Sequence, residues 1–139
     1  MGSGPAACAV FISKRAALVV RSAEDENGEV RWLKPVISIK GRPTAEEIGA
    51  AVLLSFNYRD TGILKPSELL HESEFKTWDE LTSEASMLSV ALNGTKAVVS
   101  PYFSGAGGEY YLVLNRDREV DANAFEIGNA IIKSMEYCK

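Results

Sequence analysis

Cysteine and histidine are the scarce residues in this chain. Two cysteines, Cys8 and Cys138, lie near opposite ends of the 139 residues, with neither a C-x-x-C spacing nor a histidine cluster beside them. Disulfide scaffolds and structural zinc sites need short, repeated ligand spacings, so both are excluded and the two thiols read as reduced and structural. His71 is the single histidine. A nucleophile needs a base held by an orienting group, and no Ser, Cys or Thr has that context, His71 with its neighbour Glu72 included. No catalytic, metal-binding or cofactor-binding residue is therefore assigned, and the expected activity is not enzymatic.

Long apolar runs are also missing. No stretch approaches the roughly 20 residues of a membrane helix, and the opening MGSGPAACAVFISKR lacks the early positive charge of a secretory signal. The expected location is the cytoplasm, with no membrane partner. Basic residues are not in excess either: 15 Lys and Arg stand against 19 Asp and Glu, a formal charge of −4. Direct nucleic-acid binding is not expected, because neutralising phosphates takes a basic face.

The glycine-bearing stretch SGAGGE at 104–109 lacks the lysine and hydroxyl of a P-loop and the strand-to-helix setting of a dinucleotide fingerprint; it reads as a hairpin loop. The sequon at Asn93 has no meaning in a cytosolic protein. Adjacent acids such as Glu46 and Glu47, or Asp79 and Glu80, point about 100° apart on a helix and do not converge on one substrate.

What is present is a repeat. EIGAAVLLSF (47–56) and EIGNAIIKSM (126–135) superpose at an offset of 79, placing Ile48 on Ile127, Gly49 on Gly128, Ala51 on Ala130, Val52 on Ile131 and Ser55 on Ser134. The apolar pairs follow the spacing of one buried helical stripe. Thr44 with Glu47 predicts a capping box, Asn123 with Glu126 its Asn-led relative, and Thr77 with Glu80 a third start. Glycine inside a helix costs about 1 kcal/mol relative to alanine, so its place in both first turns predicts close approach of backbone, with the sheet beneath as the expected neighbour.

Three apolar, β-branched runs precede each helix: CAVFIS, AALVVRS and KPVISIK, then MLSVAL, KAVVSPYF and EYYLVL. Asn93-Gly94, Asn27-Gly28 and the Ser104–Gly108 stretch supply the turns. The expected fold is α+β in one domain over 1–139: a six-stranded, largely antiparallel sheet from a β-β-β-α duplication (halves about 8–56 and 87–137), with both repeat helices on one face. A connector at 57–86 belongs to neither half and holds two short helices, one starting at Pro66 and one at Thr77.

Acidity is concentrated in that connector. Residues 71–90 hold five carboxylates, Glu72, Glu74, Asp79, Glu80 and Glu84, against one lysine. A charge run by itself is a solvated face. Trp78 among those carboxylates suggests an aromatic anchor in a charged rim, the make-up of a partner-binding surface; it serves equally as the connector's plug into the core. These six residues are the candidate partner-binding set, with SAEDENGE (22–29) as second choice.

The succession TAEEIGAAVLLSF, TWDELTSEASMLSVAL, VVSP and EIGNAIIKSMEYC, running from about Val10 to Cys138, resembles the immunity proteins of bacterial contact-dependent growth inhibition systems. The resemblance implies a non-catalytic protein that binds the toxic C-terminal domain of an effector in the cytosol and blocks its active site, as a monomer in a 1:1 complex without cofactor. Many such toxins are basic nucleases, which an acidic inhibitor suits by steering and by standing where phosphates would. A different class of reading is a small-ligand or enzyme-accessory module in which the glycine-bearing helix turns border a pocket between the halves. A third is a homodimer built by sheet-edge pairing.

Overall fold

The computed structural model describes residues 6–24, 26–57, 62–105 and 109–138. At its centre, strands β1 (Ala7–Ile12) and β2 (Ala16–Glu24) carry apolar side chains on both faces, and all but the first residue of β1 and the first five of β2 are buried. A strand apolar on successive residues rather than alternate ones must be covered on both sides. The remaining elements provide that cover. They are β3 (Val30–Lys40) and α1 (Ala45–Ser55); then β4 (Ile63–Leu64), α2 (Pro66–Ser73) and α3 (Trp78–Glu84); then β5 (Ser86–Asn93), β6 (Lys96–Ser104), β7 (Tyr110–Leu112), β8 (Arg118–Asp121) and α4 (Ala124–Ser134), followed by a 3₁₀ turn at Met135–Tyr137.

The strands form one antiparallel sheet in the order β4-β3-β2-β1-β5-β6-β7, with β8 also on β6. The two halves meet where β1 pairs with β5, Ala7 opposite Ala91 and Ile12 opposite Ser86. Ser86 and Ala91 are themselves the counterparts of Ala7 and Ile12 at the offset of 79, so this junction is related by an approximate two-fold axis.

The fold class is α+β, but the sheet has eight strands rather than six. One addition is β4, which the connector contributes to the edge beside β3. The other arises because the sixth expected strand is split. After Val113, whose N–H still donates to the Pro101 carbonyl at 3.0 Å, the chain leaves the sheet over Leu114–Asp117 with Asn115 at φ 63°, so β7 pairs with Tyr102–Ser104 and β8 with Lys96–Val99 at the other end of β6. In the first half β3 stays in one piece and absorbs the same discontinuity as a bulge: Val20 pairs with Val36 and Arg21 with Leu33, leaving Lys34 and Pro35 unmatched. Pro35 has no N–H to give the ladder, and position 114 is its counterpart in the split strand.

Turns hold most of their expected places. The hairpin after Asn93 forms one residue later than its Asn-Gly letters suggest: Asn93 is still paired with Lys96, and Gly94 at φ 65° with Thr95 makes the two-residue loop. Of the Ser104–Gly108 stretch, 106–108 lie outside the described residues.

Helices α1 and α4 lie on one face over Cys8, Val10, Ile12, Ala17, Val19, Leu88, Val90, Ala97 and Val99. The connector covers the other face: Leu69, Phe75 and Leu81 pack on Ala9, Phe11, Leu18 and Val20. At Thr44 the full capping box forms, with bonds of 3.2 and 2.8 Å. Asn123 Oδ1 accepts from the Glu126 N–H at 2.9 Å, and Thr77 Oγ1 from the Glu80 N–H at 3.1 Å.

The repeated glycines do not face the sheet. A β-carbon at Gly49 would run into the Ala124 carbonyl, and one at Gly128 into the Ala45 carbonyl. Ala45 and Ala124 are also counterparts at the offset of 79, so each helix lays its glycine on the first turn of the other. The repetition of the motif is the reciprocity of this crossing.

Candidate functional site

Four cations that sequence reading did not assemble meet at one end of the sheet, and two of them, Arg15 and Lys40, position the connector. The β1–β2 turn supplies Lys14 and Arg15, the end of β3 and its following loop supply Lys40 and Arg42, and the Gly41 N–H donates to the Arg15 carbonyl at 2.8 Å. Arg15 then reaches the α2–α3 junction in three ways. Its guanidinium donates to the Glu74 carbonyl at 3.2 Å, approaches the Glu80 carboxylate at 3.5 Å and lies 4.5 Å over the Phe75 ring. Lys40 pairs with the Glu74 carboxylate at 2.7 Å, and the Lys40 ammonium holds that carboxyl below its ordinary value, chiefly by hydrogen bonding. Lys34 fixes the other end of α2 through Glu68 at 2.9 Å, again lowering the carboxyl. The signal was available in SKR and IKGR, each with two cations within four letters. Nothing in sequence alone said that those segments would meet.

Among the six predicted contact residues, the structure therefore separates roles. Glu74, the left-handed cap of α2 at φ 66°, and Glu80, on the first turn of α3, are engaged by Lys40 and Arg15. Glu72, Asp79 and Glu84 are exposed and form no ion pair among the described residues. Trp78 is half-buried; its ring lies 6.0 Å from Trp32 and packs against the connector-side core. This placement is the core plug of the two readings of Trp78. SAEDENGE lies at the β2–β3 end of the sheet, opposite the Arg15 turn; Glu24, Glu26 and Glu29 are exposed, Glu29 meets Arg31 at 2.9 Å, and Asp25 lies outside the described residues.

A groove of about 350 Å³ lies between the halves, over Ile12, Pro43, Ile48, Ile132 and Met135, with Lys14, Arg42 and Glu84 among its lining. Gly49 and Gly128 are closed by each other's helices and do not line it, although Ile48, in the same turn as Gly49, does.

Buried polar groups serve the fold. Ser55 and Ser73 donate to the Val52 and Leu70 carbonyls at 2.6 Å, Thr82 donates to the Asp79 carbonyl at 3.2 Å, and Ser134 accepts from Arg118 Nε at 3.2 Å. Burial pushes the Cys8 thiol up to about 12 and raises that of Cys138, so neither supplies a thiolate at neutral pH. Among the described residues there is no cluster of metal-ligating side chains, and no helix is long and apolar enough to cross a membrane.

No protein-family model and no curated protein matches this chain. Solved structures do. A Neisseria meningitidis protein of unknown function superposes with a TM-score of 0.77 at 14% identity, covering 100% of this chain and 98% of its own. A chain of the CdiA-CT/CdiI toxin and immunity complex from Yersinia pseudotuberculosis superposes with a TM-score of 0.75 at 13% identity, covering 99% of each.

The shared property is the fold. At such identities the match fixes the path of the chain from end to end and leaves surface chemistry to be argued from these residues.

Proposed function

We propose that this chain is an immunity protein that binds a cognate toxin domain and neutralises it without turnover. The observation that carries the reading is the end-to-end likeness to a chain of a toxin and immunity complex, and the sequence resemblance to immunity proteins of contact-dependent growth inhibition points the same way.

On this reading the protein acts in the cytoplasm as a monomer in a 1:1 complex, and its target is a basic nuclease whose active site it blocks. Glu72 and Asp79 present free carboxylates on the connector, Glu84 is exposed at the end of α3, and Trp78 precedes Asp79 with its ring backed by Trp32. Glu74 and Glu80 hold that surface in place. An inhibitor of this kind needs around 800 Å² of its own surface in contact, within reach of a domain with 7972 Å² accessible.

A large secreted protein is expected in the neighbouring reading frame, and the test is co-expression of that protein's C-terminal domain with this chain. The expected result is a complex that survives size exclusion and cells that survive induction of the toxin domain. A toxin that kills equally with and without this protein, and elutes apart from it, overturns the proposal.

A further inference from the structure

The groove between the halves has a built-in comparison, because the duplication makes the same frame twice. At the offset of 79, Lys14 and Arg42 correspond to Asn93 and Asp121, and Ile132 and Met135 to Leu53 and Phe56. On the second side Leu53 and Phe56 pack against the core together with Leu92 and Ala122, and Asp121 is engaged by Lys96 at 2.6 Å. On the first side Met135 packs against the same core, but Ile132 stays 43% exposed, and Lys14 and Arg42 make no side-chain hydrogen bond or ion pair among the described residues. One copy of the frame is filled and its charge satisfied; the other is left partly open with two unengaged cations.

The chemistry of the open copy is asymmetric. Its floor is apolar, from Ile12, Pro43, Ile48, Ile132 and Met135. Ser13 is already used, accepting from the Arg15 and Ala16 N–H groups and donating to the Ala16 carbonyl. The cations left for recognition are Lys14 and Arg42, which the Gly41–Arg15 hydrogen bond brings to the same end of the sheet, with Ser86 as a further polar group and Glu84 as the opposing charge. A volume of about 350 Å³ lies at the small end of ligand pockets. Its floor is far less than the roughly 800 Å² a stable protein partner requires, so a small molecule suits it better.

We infer that this groove binds a small amphipathic carboxylate, its apolar tail on Ile48, Ile132 and Met135 and its carboxylate at Lys14 and Arg42. This site meets the toxin-binding surface proposed above only at Glu84, and its test needs no toxin.

The experiment is amide NMR of the full isotope-labelled chain titrated with octanoate at neutral pH and low salt, below micelle formation, with hexanoate, octanol and octylammonium in parallel. Octanoate should give saturable shifts confined to the groove, and hexanoate should bind about tenfold more weakly for its two missing methylenes. Octanol and octylammonium should both bind more weakly than octanoate. The double variant K14Q/R42Q should lose about tenfold, and E84Q should bind roughly twofold more tightly, because removing the one opposing carboxylate favours an anion. The amide spectrum itself reports whether each variant is folded. Absence of saturable shifts, octylammonium or octanol binding as well as octanoate, or unchanged affinity in a folded K14Q/R42Q each overturns the assignment.

Discussion

A single methyl group tests the helix crossing. In an open helix Gly→Ala gains about 1 kcal/mol, so the sign of the change at Gly49 or Gly128 is informative. Here the added carbon would enter the opposite helix's carbonyl, and α1 and α4 would have to part. Forced overpacking costs about 1–3 kcal/mol, and a net destabilisation of about 2 kcal/mol is expected for either variant in urea unfolding. The two losses should not add in G49A/G128A, since one displacement relieves both contacts. Cys8 gives a second test at this scale. Burial raises its thiol from 9.0 to about 12, so the unfolded chain loses this proton first as pH rises. The native state then binds more protons than the unfolded one, and stability falls with pH. The contribution is whole below about pH 9 and declines toward about 12, at up to about 1.4 kcal/mol per pH unit. Tyr110, raised by burial, and Lys96, raised by its bond to Asp121, act in the same direction at higher pH. Denaturant melts across the alkaline range should show the decline, and Cys8→Ala should flatten its first part.

Arg15 holds one element to another. It joins the β1–β2 turn to the α2–α3 junction through a backbone hydrogen bond, an ion pair and a ring contact. Each is worth about 0.5–1 kcal/mol at a half-exposed site, so Arg15→Ala should loosen the connector by about 1–2 kcal/mol. Hydrogen exchange should speed up at Ser73–Leu81 while Val52 and Ile131, on the far face, keep their protection. Lysine at this position should rescue little, because it lacks the planar fork that spans three partners. Uniform acceleration through both faces would show that the connector does not open separately. Elements of this kind mark the boundary of what sequence discloses. Caps, helical stripes and runs apolar on every residue are written locally, and the helices at Thr44, Pro66, Thr77 and Asn123 were legible for that reason. The split of the sixth strand, the two-residue strand Ile63–Leu64 and the meeting of Lys14, Arg15, Lys40 and Arg42 depend on which segments become neighbours, which no local pattern encodes.

At the scale of the whole molecule the same limit governs charge. Five carboxylates in one stretch of sequence read as one acidic surface, but folding brings Arg15 and Lys40 against two of them, so a net charge of −4 overstates what the connector presents. Encounter rates respond to exposed, unengaged charge, and carboxylates already paired within the chain add little to the outward field. The proposed interface then makes a differential prediction. Reversing Glu72 and Asp79 to lysine should slow association with the toxin domain by about three- to tenfold at low salt, and the deficit should shrink as salt screens it. Thermal unfolding of that variant should stay close to the parent, since neither residue supports the fold through an ion pair. Reversing Glu74 and Glu80 should act through the opposite link, repelling Lys40 and Arg15, lowering the unfolding temperature and raising exchange in the connector. Stopped-flow association over a salt series, beside thermal melts of both variants, separates the two cases. If E72K/D79K associates at the parental rate and with the parental salt dependence, the toxin meets another face of this protein and the connector's acidity is only solvation.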